Sequence, residues 1–358
     1  MRRAIALPLF FLFGIGAPLT GVTDTQPAHL PASRVVEIEV PAPSLEANLL
    51  GTPAMQGAAV YLPPGYDREP ARRFPVVYLL HGIFDNYRVF TGHFGVPTMA
   101  DRLIAAGEVP EMIIVMPNGG NQFGGGFYRN SPVSGAWGDF ITQDLVGFID
   151  ANYRTLAERE SRAVVGHSMG GYGVLHLTMT RPEVFAVAWA MSPCCLTAVD
   201  DFGFGNNAWK RTATVQSQAD VDALLEAGEF YAVATLGVAT AFMPAPDNPP
   251  LFIDLPYEIV RGEIVLDQDE HDRYLDSLPV NQIEESREAL RSLAGLGLGV
   301  GLGDQFRHIP TGTLAFAREL GEQRIPHRLD VFDGDHRLQT SQRLEQVVLP
   351  WVGDLLQH

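Results

Sequence analysis

Residues 166–171 read Gly-His-Ser-Met-Gly-Gly, between an apolar run, RAVVG (162–166), and a stretch over 170–180 whose pattern predicts a helix. A chain that passes from strand to helix in so few residues must turn sharply, and the residue at the bend is held in a strained conformation. Glycines two positions to either side of Ser168 suit such a bend, because there the backbone passes close to neighbouring elements. The bend lifts the Ser168 hydroxyl to the carboxyl-terminal edge of the sheet that holds the strand. It also aims the N–H of Met169 into the same space.

Several other short apolar runs predict buried strands: VVEIEV (35–40), AAVYL (58–62), PVVYLL (75–80), MIIVM (112–116), VFAVAWAM (184–191), the glycine-rich LGLGVGL (296–302) and RLDVF (328–332). The first two suggest an antiparallel opening pair. Helical patterns over 99–106, 140–153, 170–180, 311–320 and 339–356 separate the rest. Near-continuous apolar runs are what parallel strands covered on both faces require. Strands alternating with helices therefore predict an α/β protein with a mostly parallel sheet flanked by helices. Its ligands should bind at the carboxyl ends of the strands. Residues 196–295 break the rhythm with a Gly/Asn turn cluster, an acidic helix near 220–228 and the proline-rich MPAPDNPPLFIDLP. They read as a cap-like insertion between the later strands, within one domain over 35–358.

Of the 358 residues, 46% are hydrophobic and 19% charged, which suits a chain with a sizeable core. A net charge of −17 argues against nucleic acid as a partner, since such binding needs a basic footprint. At the amino terminus Arg2 and Arg3 precede an apolar stretch from Ala4 to Phe13, broken by Pro8, with Gly14, Gly16 and Ala17 following. This pattern predicts an export signal over 1–21, a linker over 22–34, and a secreted or periplasmic protein. The stretch is too short and too rich in Gly and Pro for a stable membrane span. The two cysteines, Cys194 and Cys195, are neighbours. A bridge between them would need a strained ring, so they read as small buried residues at a strand end.

A serine hydroxyl needs a base to act as a nucleophile, and the base needs an orienting acid. His336 lies in Asp333-Gly334-Asp335-His336, just past the last predicted strand, which suits the base. His176 falls in the helix after Ser168 and should point away, and His327 precedes the last strand at the wrong end of the sheet. His271 lies in the insertion and could reach the pocket; His308 reads as a helix-start or surface residue. Asp304 follows the glycine-rich strand and can face the imidazole from a strand's carboxyl end. Asp333 and Asp335 are rivals for the acid, though aspartates in such a loop usually serve the turn itself. For the oxyanion, Met169 N–H is one donor, and Ile83 N–H, in the His81-Gly82 turn after PVVYLL, is the expected second. Tyr128, Trp137, Phe204 and Trp209 are candidate pocket walls. No metal or cofactor is required.

The runs YLPPGYD, FPVVYLLHG, MPNGG, Trp137-Gly138-Asp139-Phe140, IDANYRT, GHSMGGYG and the late GDH occur in an order that resembles the esterase D-like "putative esterase" family of α/β hydrolases. That family includes feruloyl esterases, S-formylglutathione hydrolases, siderophore esterases and mycolyltransferases. The resemblance implies an α/β-hydrolase fold, a Ser168–Asp304–His336 triad and an oxyanion hole from the Ile83 and Met169 amides. Two features depart from the family: the insertion is longer than in compact members, and LAGLGLGVGLGDQF replaces a more polar segment before the acid. The reading is a serine esterase that hydrolyses a small-molecule carboxylic ester through an acyl-enzyme. An acyltransferase with the same triad and a non-catalytic binding protein on this fold are the alternatives. Oligomeric state is not legible.

Overall fold

A computed structural model describes residues 32–358. The export signal expected over 1–21 and most of the 22–34 linker lie outside them. The linker's last residue, Arg34, opens the first strand.

An eight-stranded sheet runs through the molecule, here numbered β1 (Arg34–Pro41), β2 (Met55–Leu62), β3 (Val76–Leu80), β4 (Ile113–Pro117), β5 (Arg162–His167), β6 (Val187–Met191), β7 (Gly295–Gly301) and β8 (Arg328–Phe332). Its spatial order is β1-β2-β4-β3-β5-β6-β7-β8. β2 pairs antiparallel with both β1 and β4, and every pairing from β4 across to β8 is parallel. The opening antiparallel pair and the parallel core match the pattern of the apolar runs. All five residues of β3 are fully buried. Val76, Tyr78 and Leu80 enter one core, and Val77 and Leu79 enter the other. Such a strand shows a continuous apolar run because both of its faces lose water.

One face is covered by Val96–Ala106, through Met99 and Leu103, and by Leu344, Val348 and Val352 near the carboxyl terminus. The other is covered by Met169–Thr180 and by the helical run that starts at Trp137 and ends at Asn152. The glycine-rich strand has a packing reason. A Cβ on Gly297 would stand 2.1 Å from the Trp189 ring of β6, and one on Gly295 would stand 2.6 Å from Trp351. The glycines on one side of β7 thus make room for two indoles, while Leu296, Leu298 and Val300 fill the opposite core.

The 196–295 segment carries the helices Ala208–Thr212, Gln218–Glu226, Phe230–Phe242 and Gln268–Asp276, with a short hairpin of Tyr257–Val260 and Glu263–Leu266. Its longest helix, Phe230–Phe242, is buried along most of its length. Among the described residues no helix is long and apolar enough to cross a membrane.

Candidate active site

Ser168 follows β5 and precedes the helix Met169–Thr180, with φ 59° and ψ −116°. A non-glycine residue there stores roughly 1–3 kcal/mol of strain, which the surroundings must hold. They do so through backbone bonds: Ser168 N–H donates to Met191 O at 2.9 Å, and Ser168 O accepts from Cys194 N–H at 3.2 Å. The flanking glycines are spatially required. A Cβ on Gly166 would lie 2.1 Å from Gly170 O, and one on Gly170 would lie 2.0 Å from Leu80 O at the end of β3.

His336 comes to the same carboxyl-terminal edge of the sheet. Its Nδ1 lies 2.7 Å from Oδ2 of Asp304, and both side chains are buried. A carboxylate can only accept, so Nδ1 carries the proton and Nε2 keeps its lone pair. The other Asp304 oxygen, Oδ1, accepts the Phe306 N–H at 2.9 Å. The two loops meet backbone to backbone. Gly303 N–H donates to Gly334 O at 2.9 Å, and a Cβ on Gly301 would stand 2.3 Å from that oxygen. Of the rival acids, Asp335 spends Oδ1 on the N–H groups of Arg337 and Leu338, which is a turn role.

His167, the residue before Ser168, joins the bend to the loop that carries His336. Its Nε2 lies 2.7 Å from His336 O, and the two rings are 4.6 Å apart between centroids. No local pattern marks His167, because its partner is 169 positions away. On the opposite flank, a Cβ on Gly82 would lie 3.3 Å from the Ser168 Cβ, so the His81-Gly82 turn runs beside Ser168. Phe84 N–H donates to Gly124 O and Asp85 N–H to Gly82 O. Ile83 N–H, just before Phe84, has no hydrogen-bond partner among the described residues. Met169, at the first position of its helix, also has no intrahelical acceptor. Two amides beside Ser168 are thus available to an anionic oxygen.

An apolar pocket opens at this edge, lined by Ile83, Phe127, Phe230, Phe306 and the Cys194–Cys195 pair, among others. Both cysteines are free and buried. Phe306 packs edge-on against His336, with ring centroids 4.9 Å apart. The four aromatic residues expected as walls are absent from this lining. Tyr128 and Trp137 are fully buried in the core, where Tyr128 donates to His81 O and Trp137 Nε1 to Ser134 O. Trp209 and Phe204 pack on each other inside the insertion. Trp209 is fully buried and Phe204 half-buried. His271, also considered for the pocket, packs against Phe204 instead. His308 does start a helix, as expected, but it is buried and lines the pocket.

Three histidines, two beside Ser168 and His176 in the helix that follows it, are held neutral by burial. His81 and His167 are pushed below the usual range, and His176 is pushed down to about 3. In the unfolded chain each binds a proton near pH 6.5, so the unfolded state gains protons first as pH falls. Stability from these groups is complete above about pH 6.5 and erodes below it. At pH 5 His176 alone should cost about 2 kcal/mol. Thermal melts at pH 7.5 and 5.0 should show a falling Tm, with a smaller fall in His176→Phe; equal falls would remove His176 from the explanation.

A profile of the "Putative esterase" family matches residues 53–340. An esterase of Mycobacterium tuberculosis is 41% identical over 153 residues, covering 41% of this chain and 31% of that one. An endo-1,4-beta-xylanase/feruloyl esterase of Xylanibacter ruminicola is 35% identical over 145 residues, covering 37% of this chain and 19% of the other. The chain thus spans about a third or less of the length of these curated relatives. Among solved structures, a ferulic acid esterase superposes with a TM-score of 0.64 at 21% identity, covering 91% of this chain and 99% of that one. At that identity the likeness speaks to the fold, which is that of the α/β hydrolases.

Proposed function

Because the chain belongs to the "Putative esterase" family of α/β hydrolases, we propose that it is an exported serine hydrolase that cleaves carboxylic esters through an acyl-enzyme. One observation carries the reading: a strained serine stands on the same sheet edge as a buried imidazole whose Nδ1 is held 2.7 Å from a carboxylate.

That geometry supports the following steps. Ser168 Oγ attacks the ester carbonyl carbon while His336 Nε2 takes its proton. Asp304 keeps the proton on Nδ1 and stabilises the imidazolium as it forms. The carbonyl oxygen becomes an anion between the Ile83 and Met169 N–H groups, and each such donor is worth on the order of 10²–10³ in rate. His336 then protonates the leaving alcohol, the C–O bond breaks, and the acyl group remains on Ser168. Water, deprotonated by His336, repeats the sequence and releases the acid. His167 and the Gly303–Gly334 contact hold the base in register, so it needs no large movement between half-reactions.

The apolar pocket supports an apolar acyl group. The feruloyl esterase names of two relatives point the same way, toward an aromatic acid. Export rests on Arg2, Arg3 and the apolar stretch from Ala4 to Phe13. One experiment tests both parts: p-nitrophenyl esters of rising acyl length, plus methyl ferulate, assayed on extracellular, periplasmic and cytoplasmic fractions of producing cells. Turnover should favour longer or aromatic acyl groups and appear outside the cytoplasm. Activity confined to the cytoplasm would refute export, and no turnover of any ester would refute the esterase.

A further inference from the structure

The chain's only two cysteines stand side by side in the wall of the pocket, an apolar slot beside Ser168. Both are free, and Cys195 Sγ lies 2.7 Å from Cys194 Sγ. Each keeps a small exposure, 7% for Cys194 and 3% for Cys195, so neither is sealed from a small molecule in the slot. Burial pushes the Cys195 thiol well above its usual range, so it keeps its proton and donates toward Cys194. Cys194 is thus the sulfur placed to attack, and Cys195 the neighbour placed to follow.

The backbone around the pair is tied to Ser168 at two points. Met191 O accepts the Ser168 N–H, and Cys194 N–H donates to Ser168 O at 3.2 Å. Between them, Ser192 N–H donates to Gly299 O on β7. Pro193 lies against the helix Met169–Thr180, where a Cβ on Gly171 would stand 2.9 Å from Pro193 Cα. Cys195 is held at φ 59°, a region that costs a non-glycine residue about 1–3 kcal/mol. The segment from Met191 to Cys195 has little slack, and a change in its backbone reaches Ser168 directly. A bridge between neighbouring cysteines closes a small ring through their peptide bond, which strains it. Strained bridges are readily reduced, so such a pair suits reversible oxidation and not stapling.

We propose that Cys194 and Cys195 form a peroxide-sensitive modification site, in which oxidation joins the two sulfurs and lowers ester turnover. The effect on turnover rests on the esterase reading above. Cys194 Sγ attacks hydrogen peroxide, the O–O bond breaks, and the thiol proton leaves with the departing hydroxide as water; Cys194 is then a sulfenic acid. Cys195 Sγ attacks that sulfur, the S–O bond breaks, and the second thiol proton leaves in a second water. Two electrons pass from the sulfurs to the peroxide, and one S–S bond forms. Hydrogen peroxide suits the slot because it is small and uncharged. Closing the ring twists the peptide between the cysteines, draws the Cys194 N–H away from Ser168 O and moves the pocket wall.

The test treats the reduced chain with hydrogen peroxide, removes the oxidant, and reads free thiols after unfolding, the mass of the Cys194–Cys195 peptide, and p-nitrophenyl ester turnover. Thiols should fall from two to zero without covalent dimers, and the peptide should lose two hydrogens. Turnover should fall about tenfold or more, since small displacements at a reacting centre cost up to about 10²-fold. Dithiothreitol should restore all three, which oxidised methionine would not allow. In Cys194→Ala and Cys195→Ala the treated-to-untreated ratio should stay near one, whatever each variant's own rate. The proposal is overturned if wild-type protein keeps both thiols, or closes the bridge with turnover unchanged. Both results are readable even if neither variant folds. Either variant losing turnover as wild type does would overturn it too. Failure of the esterase reading looks different: the reduced protein turns over no ester, while thiol count and peptide mass still report whether the bridge forms.

Discussion

Replacing Ser168 with alanine should reduce ester turnover by on the order of 10⁵-fold or more and abolish labelling by a fluorophosphonate probe. The hydroxyl is the only group removed. Alanine keeps the Cβ that packs beside Gly82 and the backbone N–H that donates to Met191 O. The melting temperature should therefore stay within a few degrees of wild type, which separates loss of chemistry from loss of fold. Some residual rate above the uncatalysed reaction is expected, because the Ile83 and Met169 amides still face the carbonyl oxygen. Near wild-type turnover, or persistent labelling in Ser168→Ala, would mean that another residue is the nucleophile. If the wild-type protein itself resists the probe, the non-catalytic reading gains.

Asp304→Asn should lower kcat by on the order of 10⁴-fold with little change in KM. The buried carboxylate now accepts twice, once from Phe306 N–H and once from His336 Nδ1. Asparagine has one carbonyl oxygen. If that oxygen keeps the Phe306 N–H, its amide group turns toward the ring and donates to Nδ1. His336 then carries its proton on Nε2 and cannot take one from Ser168. Packing is nearly unchanged, so ground-state binding should survive. A rate within a few-fold of wild type would transfer the role to Asp333 or Asp335, although Asp335 already serves the N–H groups of its own turn.

Much of this fold was legible because it depends on short-range rules. The strands announced themselves as apolar runs because both faces of the sheet are buried, and their boundaries fell within a few residues of those expected. The bend at Ser168 was legible because a strand-to-helix turn demands small residues at fixed offsets, here Gly166 and Gly170. Asp304 and His336 could be nominated because each follows a strand at the correct end of a parallel sheet. Their 2.7 Å contact depends on the approach of Gly303 to Gly334, which no local pattern displays.

The pocket was a different matter. Tyr128, Trp137, Phe204 and Trp209 were reasonable walls by residue type, yet the first two close the core and the last two fill the insertion. Aromatic identity alone does not say whether a ring faces a ligand or another side chain. The aromatic rings that do line the slot, Phe127, Phe202, Phe230, Tyr231 and Phe306, come from four separate segments. Asp201 and His308 stand 107 positions apart and meet only because the insertion folds back over the sheet edge. The sequence by itself determined the strand–helix alternation, the bend and the chemical inventory, since these follow from backbone geometry and burial period over a few residues. Tertiary structure alone decided which histidine meets which carboxylate and which rings stay dry against each other, because those pairings depend on contacts between segments whose separation along the chain carries no local signal.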